Sequence, residues 1–417
     1  MPLLNPKPYR RFNRAILASA GGVVLLFVAA NTWTNPLWVT PAPWTNEDFA
    51  DFRPIYRHQR TGKAGLVLSQ PWEVGFFGSS RIDIAYNPLH PLWENKPAVN
   101  VAVSAGSLPE TSAILRYTLE HCPLDTAIVG IDLGDITDAG SIYRTTGFME
   151  SPFNPKRDRF ESQLRYLGGI STFESAVQTL QNKASNKLPE YTPQGHRLRH
   201  QDQPNTRQII YRDAIPHALR TTSRRQHSMA ASEWKTSLVR QILADTKAHG
   251  ARLIVVIPPS HATYIGVFHH SGDPDPVFSI DRSVLTRLVA ESNRDHPNSP
   301  PAVVWDFNDF HPLNCETIPP DGVRMHWWLD GTHARKSLGD IMLARIMGWP
   351  ITGAGSDYGY LLTEETLPAR LGELKSGYQR FQKENADQWR WMIQSLDSYQ
   401  ASGRAAKGST DEDSRDF

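Results

Sequence analysis

Hydrophobic positions along the chain fall into three patterns. The first is one uninterrupted run, AILASAGGVVLLFVAANTW, from Ala15 to Trp33, nineteen residues without a charge. As a helix it reaches about 28 Å, close to the ~30 Å hydrocarbon thickness of a bilayer. The second pattern is a set of short, nearly continuous apolar stretches within Trp72–Ser80, Val99–Ser107, Asp125–Ile136, Ala251–Pro259 and Pro301–Phe307. Such runs predict strands buried on both faces, as in a parallel sheet. The third is helical spacing. Ser107–Cys122 opens with a capping box, Ser107 followed by Glu110. ASEWKTSLVRQILADTKAHG stops at Gly250, Ala334–Gly348 closes the apolar region, and Leu367, Leu371, Leu374, Tyr378 and Phe381 mark a C-terminal amphipathic helix. Strands alternating with helices predict a three-layer α/β/α domain of about five parallel strands. In such sheets sites gather at the carboxyl ends of the strands.

Charge places the first pattern. Lys7, Arg10, Arg11 and Arg14 precede the apolar run, and no acidic residue occurs before Glu47. The bias predicts a cytoplasmic segment 1–14, a transmembrane anchor 15–33 and an exported remainder, which for a bacterial inner membrane means the periplasm. The small residues Val28-Ala29-Ala30 leave a cleaved secretory signal as the alternative. A Pro- and Trp-rich tether is expected over 34–62, then the main domain over 63–350. An insertion is expected at about 141–231, a helical segment over 351–400 and a disordered tail over 401–417. Within the insertion, Gln194–His227 holds seven Arg and four His against Asp202 and Asp213, a groove for a polyanion or a solvated loop.

Composition narrows the rest. The 417 residues carry 44 basic and 43 acidic side chains, net +1, which argues against a nucleic-acid partner. Two cysteines, Cys122 and Cys315, exclude a disulfide scaffold, and their pairing stays open. No phosphate loop or zinc spacing occurs, so no cofactor or metal is expected; His269-His270 with Asp273 and Asp275 reads as a polar loop rather than a ligand set.

Two motifs carry chemistry. Gly78-Ser79-Ser80-Arg81 closes the first strand, and a hydroxyl on a turn entering a helix lies beside free backbone N–H groups. Asp330-Gly331-Thr332-His333 lies before the last helix. There the carboxylate can accept from one imidazole nitrogen while the other faces a serine. Either motif alone also fits plain structure, a tight turn or a chance pairing; their positions at the two ends of the domain give them weight.

In these pieces the chain resembles the SGNH/GDSL hydrolase superfamily, over about Trp72 to Gly348. The resemblance implies Ser80 as nucleophile, with Ser79 in place of the usual Asp, His333 as base and Asp330 as its orienting acid. It also implies Ser80 and Gly106 as backbone oxyanion donors. The family's Gly-x-Asn-Asp block appears here as Gly130-Ile131-Asp132-Leu133, and an ionised Asp132 cannot donate. Losing one such donor costs ~2.7–4 kcal/mol of barrier in proteases. Arg81, Asp132 and His326 are further candidate substrate contacts; His326, beside Trp327-Trp328, reads equally as packing. With the single span and WWLDGTHARKSLGDIMLARIMG, the chain is similar to anchored SGNH-like proteins that work beside a membrane-bound O-acyltransferase. Proteins of alginate and cellulose O-acetylation and the D-alanyl transfer protein of teichoic-acid systems are of this kind. The implied role is an acyltransferase or esterase on a cell-surface polysaccharide; a non-catalytic accessory binding the polymer or the acyltransferase is the alternative.

Overall fold

The structure, a computed structural model, describes residues 7–94, 96–137, 146–199, 205–227 and 229–402. It divides into two compact units, Met1–Gln70 with Thr145–Pro193 and Pro71–Arg144 with Gln194–Phe417. The second unit is α/β, built on a mixed six-stranded sheet. Its strands are β1 (Val74–Phe77), β2 (Ala98–Asn100), β3 (Thr126–Gly130), β4 (Arg252–Ile257), β5 (Val303–Asp306) and β6 (Tyr360–Leu362). They lie in the order β2-β1-β3-β4-β5-β6. The first five are parallel, with Val74 facing Ala98 on one side and Thr126 on the other. β6 runs antiparallel to β5, pairing Trp305 with Leu361. Three residues after a Gly-rich stretch carry too little periodicity to announce a strand, so β6 went unpredicted.

The order has a functional consequence. From β1 the chain moves outward to β2, then returns to build β3 on the other flank of β1. That reversal opens a crevice at the carboxyl ends of β1 and β3, where ligands bind in open α/β sheets. The turn Gly78-Ser79-Ser80 lies there. Gly78 has φ +139, and a Cβ on it would stand 2.9 Å from Ile82 Cγ1 and 3.0 Å from the Gly130 carbonyl. Only glycine fits a turn so conformed and so close to β3.

The predicted helices form at Leu108–His121, Glu233–His249 and Lys336–Met347. Glu110 accepts the Ser107 N–H at 3.3 Å, and Gly250 and Gly348 end their helices in left-handed conformation. Two buried ion networks brace the unit. Asp306, on β5, accepts from Arg282 Nε at 2.9 Å and Arg370 Nε at 3.0 Å. Arg225 bonds Asp273 and the Asp275 carbonyl, and its guanidinium covers the Phe278 ring at 3.9 Å. The expected polar loop at 269–275 is therefore partly core: His269 and His270 end the Ala262–His270 helix, and His269 stacks on Tyr378. No cluster among the described residues could hold a metal ion. Both cysteines are buried and free.

In the first unit, the Lys7–Thr34 helix is long and apolar enough over Tyr9–Thr34 to cross a membrane. It packs against the helices Arg159–Gly168 and Ile170–Ala184. The expected boundaries are redrawn accordingly. Residues 34–62 are folded, with Leu37, Trp38, Val39 and Thr40 buried. The expected insertion 141–231 splits, its first part joining the N-terminal unit and its part from Gln194 onward joining the sheet. The C-terminal segment is two helices, Leu367–Glu384 and Ala386–Ala401. The expected tail 401–417 lies almost wholly outside the described residues, as do 1–6 of the basic segment.

Candidate active site

Ser79 caps the helix Ser80–Ala85, its hydroxyl accepting the Arg81 N–H at 3.3 Å. That leaves Ser80 as the first helical residue, with its side chain half-exposed and its N–H without a partner among the described residues. Six residues make a weak helix by themselves. Its carbonyls are also held from outside: Asn100 Nδ2 donates to Ile82 and Tyr86, the Arg197 N–H to Asp83, and His196 Nε2 meets the Ile84 carbonyl. The basic segment is thus in part a clamp on the helix that starts at Ser80. Arg225 in its ion network and Arg197 on Ser104 Oγ serve the fold, whereas Arg212 pairs with Asp213 at the solvent-exposed surface.

The second motif forms a closed turn. Leu329 N–H donates to the His333 carbonyl at 2.9 Å and Arg335 N–H to Trp327 at 2.7 Å. Trp328 is fully buried and anchors the turn by donating from its indole to the Leu313 carbonyl. His261 N–H bonds the Gly331 carbonyl, and the His261 ring bridges Thr263 and the Glu316 carbonyl. Burial lowers the His261 ring to a pKa of about 4, so it stays neutral as a strut. Gly339 in the following helix lies so close to the Ala85 carbonyl that no Cβ fits. That contact seats the helix after His333 on the helix that begins with Ser80.

The result is a chain of three side chains from opposite ends of the unit. Ser80 Oγ lies 2.8 Å from His333 Nε2 across 253 positions, and His333 Nδ1 lies 2.8 Å from Asp330 Oδ2. The other Asp330 oxygen accepts from Thr332 N–H (2.8 Å), Thr332 Oγ (3.1 Å) and His333 N–H (2.9 Å). Burial would raise the Asp330 carboxyl, but the His333 charge, the His333 ring bond and these two N–H groups outweigh it. The carboxyl is held well below the usual carboxylate range. An ionised carboxylate only accepts, so Nδ1 carries a proton and Nε2 is left to accept from the Ser80 hydroxyl.

The remaining expected site residues are placed differently. Gly106 lies against Gly78, a Cβ there being 2.8 Å from the Gly78 carbonyl, yet its N–H donates to Val103 at 3.0 Å. As an oxyanion donor it is corrected: the N–H is spent within its own turn. Arg81 points inward, donating to Ser260 Oγ at 3.0 Å and standing 3.7 Å from Asp132 Oδ1. Asp132 is thus a counter-charge to Arg81, one of its oxygens buried without a hydrogen bond. His326 packs edge-on against Trp327 and makes no hydrogen bond to Ser80, Asp330 or His333.

Sequence reasoning missed four polar residues around Arg81. Asn308 Nδ2 donates to Ser260 Oγ at 3.0 Å, and His217 Nδ1 lies 2.8 Å from the Tyr264 hydroxyl. Burial pushes the Tyr264 phenol up to about 12. Arg81, Ser260, Tyr264 and Asn308 line a cavity of about 20 Å³ together with Leu133 and Phe278. It has room for about one water. Ser260 and Asn308 follow β4 and β5 closely, so the carboxyl-end rule was the available signal. The chain matches no protein-family model, no characterised protein and no solved structure with which it was compared.

Proposed function

We propose that the chain is a membrane-anchored serine acyltransferase or esterase of the SGNH/GDSL kind. It acts in the periplasm on O-acyl groups of a cell-surface polysaccharide, in a three-layer α/β/α domain. The observation that carries this reading is the Ser80–His333–Asp330 chain, two 2.8 Å contacts between residues from distant parts of the sequence. As Ser80 Oγ attacks the acyl carbon, its proton passes to His333 Nε2. The imidazolium formed is stabilised by Asp330 and returns the proton to the leaving alkoxide. The acyl-enzyme then meets a sugar hydroxyl, or water, which His333 deprotonates; the acyl group moves on and Ser80 regains its hydrogen. The Ser80 N–H stabilises the oxyanion. On this reading the acyl donor is a membrane-bound O-acyltransferase and the acceptor is the polysaccharide.

A second reading has its own support. With Gly106 N–H occupied and Asp132 in place of an amide, one backbone donor stands ready. That arrangement suits an accessory that binds the polymer or the acyltransferase without turning over. The test is labelling of the full-length protein in detergent by a fluorophosphonate, alongside hydrolysis of p-nitrophenyl acetate. Catalysis requires a covalent adduct on Ser80 and loss of both signals in Ser80→Ala. An unlabelled wild type, or equal hydrolysis in both proteins, sinks the enzyme and leaves the accessory.

A further inference from the structure

We propose that the tip of the helical hairpin Arg159–Ala184 is a membrane foot, seated among phospholipid acyl chains beside the Lys7–Thr34 anchor. The inference rests on reading that helix as a span. A Cβ on Gly168 would lie 3.7 Å from Val24 Cγ1, and Phe173 stacks on Phe27 with ring centroids 4.2 Å apart. Val24 stands nine residues before Trp33, or ~14 Å down the helix axis. A hairpin held in water would leave Ala15 to Val23 to cross the bilayer. That is about 14 Å against the ~30 Å required, and it would draw Arg14 and Arg11 into hydrocarbon. If the whole apolar run spans, the hairpin tip enters with it.

The tip is built for that depth. Between Arg165 and Glu174 the sequence YLGGISTF has no charge. Phe160, Leu164 and Ile170 are 75%, 54% and 66% exposed, an apolar surface with no partner in the unit. In lipid the last carbonyls of the Arg159–Gly168 helix would lack donors. Asn31 supplies them, its amide donating to Leu167 at 2.9 Å and Tyr166 at 3.3 Å. Thr32 and Thr34 turn their hydroxyls back onto their own helix, on Val28 and Ala30. Charge resumes at the other end, where Phe49 meets Trp33 edge-on and Asp48 pairs with Lys183. Glu161 and Arg165 pair with each other at 2.6 Å where the first helix of the hairpin approaches its uncharged tip. A foot that meets Val24 sits ~14 Å from the outer end of the span, deeper than the ~5–10 Å of interfacial helices.

The experiment places an environment-sensitive fluorophore on single added cysteines of the full-length protein in phosphatidylcholine vesicles; Cys122 and Cys315 are buried. Position Ile170→Cys reports the foot, Leu17→Cys the anchor and Leu188→Cys an aqueous surface. Quenching by doxyl-labelled lipid at 170 is expected within about twofold of that at 17, with none at 188. Quenching at 17 alone, with an aqueous spectrum at 170, overturns the foot and spares the anchor. An aqueous spectrum at 17 overturns the anchor reading itself. A spectrum at 170 that is apolar yet unquenched by lipid means a protein partner covers the tip, and also overturns the proposal.

Discussion

Replacing Asp330 by Asn tests the site most sharply, because it alters one proton and little else. Asp330 receives four hydrogen bonds: Thr332 N–H, Thr332 Oγ and His333 N–H on one oxygen, and the His333 ring on the other. In Asp330→Asn the amide oxygen keeps the first three, since two are fixed backbone donors. Its NH2 must then face His333 Nδ1. Two donors cannot meet, so the ring moves its proton to Nε2 and presents N–H toward Ser80, 2.8 Å away. The hydroxyl loses its acceptor. The same change in a serine protease lowers kcat about 10⁴-fold, or ~5 kcal/mol of barrier. The expected result is a fluorophosphonate labelling rate at Ser80 reduced by about 10³–10⁴, with the unfolding midpoint little changed. Thr332→Val, which removes one bond to Asp330 but keeps its charge, should slow labelling by less than about tenfold. Labelling of Asp330→Asn at the wild-type rate, with Ser80→Ala unlabelled, would show that the tautomer of His333 does not govern the serine.

Three structural predictions follow from the same geometry. Gly78→Ala must hold a side chain at φ +139 and 2.9 Å from Ile82 Cγ1, and should lose about 2–4 kcal/mol in urea unfolding. Arg370→Met strips a guanidinium from Asp306 and Asp309, both strongly buried, and should cost about 3–5 kcal/mol. A stable Arg370→Met protein would show that Arg282 alone satisfies Asp306. Half-buried His269 has its pKa lowered to about 4 by desolvation. Below about 6.5 the unfolded chain takes a proton that the folded ring refuses, so stability falls between pH 6.5 and 4, by ~3 kcal/mol. His269→Phe, sharing the stack with Tyr378, should remove that share of the acid loss; an unchanged pH slope refutes it.

What could be read from the sequence was decided by how local the signal was. Val74–Phe77 and Arg252–Ile257 announced themselves because a strand buried on both faces is a continuous apolar word. Gly78-Ser79-Ser80 and Asp330–His333 stood out because each sits where strand gives way to helix. Gly106 misled: the resemblance implied its N–H as an oxyanion donor, but its turn bond to Val103 was not legible. Ser260, Asn308, His217 and Tyr264 are single polar residues whose meaning comes from Arg81 reaching across the sheet, a contact no spacing encodes. The stretch 34–62 read as a tether, and its folding could not be read because it draws partly on Gln163 and Asn182, far along the chain. The distance also hid the ion pairing of Asp306 with Arg370, 64 positions away.

The first unit is assembled from two stretches of chain separated by β1, β2 and β3. During synthesis the Lys7–Thr34 helix therefore emerges before the helices that pack on it exist. Until residue 167 has been made, the Asn31 amide has no Tyr166 or Leu167 carbonyl to meet. The same arrangement governs where the protein can be cut. Deleting residues 1–62 would bare the faces of Arg159–Gly168 and Ile170–Ala184 that now rest on the Lys7–Thr34 helix. A clean excision takes both stretches together.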